Sequence, residues 1–246
     1  MTLTHLESLL PAHAESIPEP QRHYAALPRF VYHGVPTERG ALNILRRGIL
    51  PAGGETKERV FVSGEEIWGV FLGLSSALSY ACGTRGGRRV DKTGAAMVFE
   101  IDTRALDSRL LVPYPLAVLQ QLAHEADEPS DAILAEALRK GERAGDALHA
   151  AFGKRMEAGE WSAATHPAMV ARSMAEWDEI VYRAPVPLAA LSRCLTLPAD
   201  FHLEGDFAGA RPGAPALAAK LEMMQGWFNS HGQSLGEARR DRYSKA

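Results

Sequence analysis

From residue 115 to about 174 the sequence is rich in Ala, Leu and Glu, a block of helical texture about 60 residues long with short segments of strand texture on both sides of it. A connection of that length is far beyond the few residues that ordinarily join neighbouring elements. The block is therefore read as a helical insertion or lid, residues 115–174, carried on one α+β domain whose strands come from before and after it.

The strand segments are short and well marked. Phe30-Val-Tyr-His33 combines aromatic and β-branched residues and is stopped by Gly34 and Pro36. Val60-Phe-Val and Val70-Phe-Leu are further candidates, and Ala96-Met-Val-Phe-Glu-Ile-Asp102 is the cleanest strand of the chain. Strand texture returns at Glu179-Ile-Val-Tyr182 and at Leu191-Ser-Arg-Cys-Leu195. Between the first two strands, residues 37–48 read as a helix with Thr37 as N-cap and Gly48 as its stop, and Leu42, Leu45 and Ile49 facing a core. Ser75 or Ser76 is expected to cap a short helix running to Ala81. Residues 1–29 read as a helical lead-in, 30–200 as the main domain, and 201–246 as a partly helical C-terminal tail.

Bulk properties narrow the function classes. With 246 residues, 46% hydrophobic and 23% charged, the chain can bury a substantial core. A formal net charge of −3 gives no global positive field to draw it onto nucleic acid or an anionic membrane. Two cysteines, Cys82 and Cys194, indicate neither a disulfide scaffold nor a four-ligand zinc site. No apolar run is long enough to span a bilayer, and the N-terminus lacks the pattern of a secretory signal. The expectation is a cytoplasmic protein without a membrane partner or a metal, with delivery into a target cell as an effector left open.

Three places carry candidate chemistry. His33 stands at a strand end beside Gly34, where it reads either as a hydrogen-bonding group or base facing a cleft, or as a half-exposed histidine before a turn. Tyr80, in the helix after Phe71, reads either as an aromatic that stacks on a flat ring or as core packing. Glu179 lies among apolar strand residues, which costs free energy unless the group is paired or used, the alternative being an edge strand with Glu179 in solvent.

Taken in order, Tyr32-His33-Gly34, Gly69-Val-Phe-Leu-Gly-Leu-Ser-Ser-Ala-Leu-Ser-Tyr-Ala81 and Asp178-Glu-Ile-Val-Tyr182 resemble the ADP-ribosyltransferase superfamily. The closer likeness is to the diphtheria-toxin-like branch that includes the poly(ADP-ribose) polymerases, and it spans roughly residues 30–195. The resemblance implies two small packed β-sheets forming an NAD cleft, NAD as co-substrate, and Glu179 and His33 as catalytic residues. His33 would contact a ribose hydroxyl, the Gly34 backbone would hold the carboxamide, Tyr80 would stack on nicotinamide, and Phe71 and Ser75 would complete the cofactor site. Glu179 would stabilise the positive charge that develops on the ribose.

Two departures qualify the acceptor. Phe71 stands where the branch has a tyrosine, which implies single transfer rather than polymer growth. Trp177, not a glutamate, stands two residues before Glu179, with Glu176 one place off, which disfavours an arginine acceptor. The implied activity is mono-ADP-ribosyl transfer to a protein, DNA or RNA acceptor, as for a bacterial toxin or effector with an antitoxin or immunity partner. An RNA 2′-phosphotransferase-like enzyme, with Arg85–Arg89 as the nearest basic cluster, and a non-catalytic NAD or ADP-ribose-binding module are the alternatives.

Overall fold

The computed structural model describes residues 27–51, 69–81, 96–114, 161–197 and 217–243. The expected lead-in helix, the Val60 strand, Cys82, the Arg85–Arg89 cluster and the greater part of the helical block lie outside the described residues.

The described elements are β1 (Phe30–Val35), α1 (Glu38–Arg47), β2 (Val70–Gly73), α2 (Ser75–Ala81), β3 (Met97–Asp102), β4 (Leu111–Pro113), α3 (Pro167–Trp177), β5 (Glu179–Tyr182), β6 (Leu191–Thr196), α4 (Leu217–His231), β7 (Gln233–Ser234) and α5 (Leu235–Tyr243). They form an α+β unit around one seven-stranded sheet in the order β4-β5-β2-β1-β3-β6-β7. Every pairing is antiparallel.

The two separate sheets expected from the sequence are thus joined into one, and the joint is narrow. β1 pairs with β3 over six residues, Phe30 opposite Asp102 through Val35 opposite Met97. On its other side β1 meets β2 at the single pair Tyr32 and Gly73. Half-sheets β4-β5-β2 and β1-β3-β6-β7 therefore share one point of contact between paired backbones, and a sheet that twists strongly diverges at such a point.

Helix α1 forms as its ends dictate. Thr37 accepts a hydrogen bond from the Gly40 N–H at 3.2 Å, and Gly48, at φ 85°, stops the helix while its own N–H returns to Ile44. Of the residues expected to face the core, Leu45 and Ile49 are buried, whereas Leu42 is only half-buried and Ala41 and Ile44 are buried in its stead. Helices α4 and α5 are integral to the core rather than a loose tail. Met224, Phe228 and Ala238 belong to the main apolar cluster, and Arg239 donates to the Leu45 carbonyl at 2.7 Å. No described helix is long and apolar enough to cross a membrane.

The start of α2 departs from expectation. Ser76 lies inside the helix and does not cap it, and the carboxylate of Asp178 accepts from the Leu74 N–H at 3.2 Å and the Ser76 N–H at 2.6 Å. Ser76 Oγ in turn donates to the Asp178 carbonyl at 2.8 Å. Asp178 is buried and lies in the left-handed region at φ 56°, a conformation that Asp tolerates better than most residues. It is thus a turn residue between α3 and β5, not part of the strand. Gly73 has no room for a side chain here, because a Cβ would collide with Ser76 Oγ.

Candidate active site

Glu179 opens β5, which lies between β4 and β2, so the edge-strand alternative is excluded. Register fixes its neighbours. Gly73 of β2 is opposite Glu179 and Phe71 is opposite Val181. On the other flank Val112 is opposite Val181 and Pro113 opposite Ile180, so the next step sets Tyr114 opposite Glu179. Directly opposed residues of an antiparallel pair point to the same face. Phe71 and Tyr114 come from either side of β5, from strands about 10 Å apart in a regular sheet. Yet their ring centroids are 6.3 Å apart with an edge-on angle of 68°. The two rings therefore lean together over the stretch of β5 that carries Glu179.

One side chain of α3 fixes this arrangement. Buried Ser173 donates its hydroxyl to the Glu179 carbonyl at 2.7 Å and accepts from the Tyr114 N–H at 2.8 Å. Glu179 itself makes no side-chain hydrogen bond or ion pair among the described residues. Burial, with the charge of Asp178 adding to it, pushes the carboxyl up to about 8. The Tyr114 phenol is pushed up as well, by burial and then by the charges of Glu179 and Tyr80, which puts Tyr114 within electrostatic reach of both. Tyr80 is 45% exposed, which removes the core-packing alternative for that ring.

His33 meets β2, the neighbour of β5, from its other side. Carrying the β1–β2 register past Tyr32 and Gly73 would place Gly34 opposite Phe71, but the strands have parted there. The His33 ring spans the gap, its Nδ1 lying 2.9 Å from the Phe71 carbonyl oxygen. A carbonyl only accepts, so Nδ1 carries the proton. Burial lowers the imidazole's pKa, the bond to Phe71 opposing it, so the neutral ring is favoured and Nε2 is left as an acceptor. Gly34 has a packing reason of its own: a Cβ there would collide with the Ala77 carbonyl of α2. The side chains of Ser75, Glu176 and Trp177 fall outside what is described.

His33, Phe71 and Glu179 are thus on three adjacent strands, and Tyr80 of α2 lies within electrostatic reach of Tyr114. Tyr114 and Ser173 join the site without having been singled out in the sequence. Tyr114 sits between Pro113 and Pro115, which read as strand breakers, and Ser173 is one serine in a helical stretch. No group of His, Cys, Asp and Glu that could hold a metal ion occurs among the described residues. The chain matches no protein-family model, no curated protein and no solved structure.

Proposed function

We propose that this protein is an NAD-consuming mono-ADP-ribosyltransferase that cleaves the nicotinamide–ribose bond and passes ADP-ribose to a macromolecular acceptor. The observation that carries the reading is the Glu179 carboxyl: on an interior strand, unpaired among the described residues, raised to about 8 and bordered by aromatic rings. Such a group costs the fold free energy, which supports reading it as a group held for chemistry.

The neighbouring residues suit NAD as the substrate. The half-exposed Tyr80 ring offers a face for the flat nicotinamide, and His33 Nε2 offers an acceptor for a sugar hydroxyl. Breaking the bond to nicotinamide develops positive charge on the ribose, which a fixed carboxylate opposes. The nicotinamide ring of NAD is itself cationic, and its approach favours the ionised form of Glu179. Phe71 contributes an apolar wall with no hydroxyl, in keeping with a single transfer.

The test is incubation of the protein with NAD labelled on the adenosine side, in separate pools of protein, DNA and RNA. Release of nicotinamide and label fixed in one pool is the expected result. No nicotinamide released in any pool contradicts the proposal.

A further inference from the structure

Resting on the reading of Glu179 as the carboxylate of a sugar-binding site, we infer that Tyr114 is a second polar contact for the bound ribose, its phenol engaging a hydroxyl of the sugar that Glu179 faces. Three observations place it there. The β4–β5 register leads to Tyr114 opposite Glu179. The Tyr114 ring leans over β5 to meet the edge of Phe71 at 6.3 Å, so the phenol is carried over the carboxylate's strand rather than away from it. Ser173 binds the backbone of both residues, at 2.7 and 2.8 Å, which couples the position of the phenol to that of the carboxylate.

The chemistry follows from what a ribose presents. Each of its adjacent hydroxyls can take a polar partner, and Phe71, the other ring beside Glu179, has no polar group to offer one. Burial and the nearby Glu179 and Tyr80 keep Tyr114 in its phenol form, so it retains an O–H to donate across the working pH range. Ser173 does not touch the ligand in this scheme; it is a positioning residue.

Tyr114→Phe removes only the hydroxyl and keeps the contact with Phe71. With full-length protein, NAD turnover and calorimetric binding of nicotinamide riboside are measured in parallel. The expected result is a loss of roughly threefold to tenfold in kcat/KM and a matching loss in riboside affinity, the size of one net hydrogen bond. Active wild-type protein with an unchanged variant in both assays overturns the inference and leaves the proposed function standing. Wild-type protein that binds the riboside without cleaving NAD, with binding weakened by Tyr114→Phe, supports the inference and overturns the transferase reading. Wild-type protein that does neither overturns both.

Discussion

In the half-sheet of β1, β3, β6 and β7, Glu100 is 1% exposed and both of its oxygens are held by Arg193, at 2.9 and 2.7 Å. Arg193 is anchored in turn by the Phe228 carbonyl and Asn229 Oδ1 of α4, each at 3.0 Å. In the half-sheet of β4, β5 and β2, Glu179 is on an interior strand with no such partner among the described residues. The first carboxylate is neutralised by a two-pronged guanidinium and fastens a C-terminal helix to the sheet. The second retains the cost of its burial, visible in its raised pKa. Asp178, the residue before it, sharpens the contrast, since its carboxylate is spent on the N–H groups that begin α2. Of three neighbouring or matching acids, two serve the fold and the third has no such partner among the described residues.

This contrast can be broken first at its paired end. Arg193→Met leaves Glu100 buried and uncompensated, and should lower stability by about 3–5 kcal/mol in urea denaturation. A loss below about 1 kcal/mol would show that Glu100 does not depend on its partner. Asp178→Ala removes two hydrogen bonds to the start of α2 and puts alanine at a positive φ; a loss of roughly 2–3 kcal/mol is expected by the same measurement. A neutral result would mean that α2 is capped by other means.

Glu179→Gln should behave in the opposite way, and its sign depends on pH. The folded-state pKa of about 8 lies above the ordinary carboxyl value of 4.5. The folded protein therefore holds a proton that the unfolded chain has released between those values, and wild-type stability falls as pH rises through that window. Relative to wild type, Glu179→Gln should gain about 1–2 kcal/mol between pH 5 and pH 8, the partial exposure of the site keeping the figure small. A variant that loses stability over that interval would indicate that Glu179 is paired after all.

The comparison also separates what a sequence displays from what it conceals. The strand at Ala96–Asp102, the helix closed by Thr37 and Gly48, and the segments carrying His33 and Glu179 are local patterns, set by β-branched and aromatic runs, caps and glycine, and the structure has them all. The partnerships are non-local. Asp178 caps a helix 102 residues away along the chain, and nothing near either position signals it. Among the described residues β4 is an edge strand with no strand paired beyond it, which tolerates Pro113, whereas in sequence that proline reads as an interruption. Helices α4 and α5 mix apolar and polar residues around Gly226 without a clean stripe, so their burial against the sheet shows only in three dimensions. The fusion of the two half-sheets at Tyr32 and Gly73 hangs on one pair, too little to leave a pattern. At the site, His33, Phe71, Tyr80 and Glu179 were legible as residue types in order; Tyr114 and Ser173 became visible only through register and hydrogen bonding.

The central claim is that Glu179 is kept unpaired for use in cleaving NAD, and its charge is the quantity to test. Glu179→Gln keeps the size and one acceptor oxygen while abolishing the charge. Nicotinamide release should fall by about 10²–10³-fold in kcat, as for the loss of one preorganised electrostatic contact, while the affinity for NAD stays within a few-fold of wild type. In the wild type, kcat/KM should climb with pH and level off above about 8, because the ionised form is the active one and the free protein's carboxyl titrates there. A Glu179→Gln protein that releases nicotinamide at the wild-type rate, or a wild-type profile flat across pH 6–9, would contradict the account.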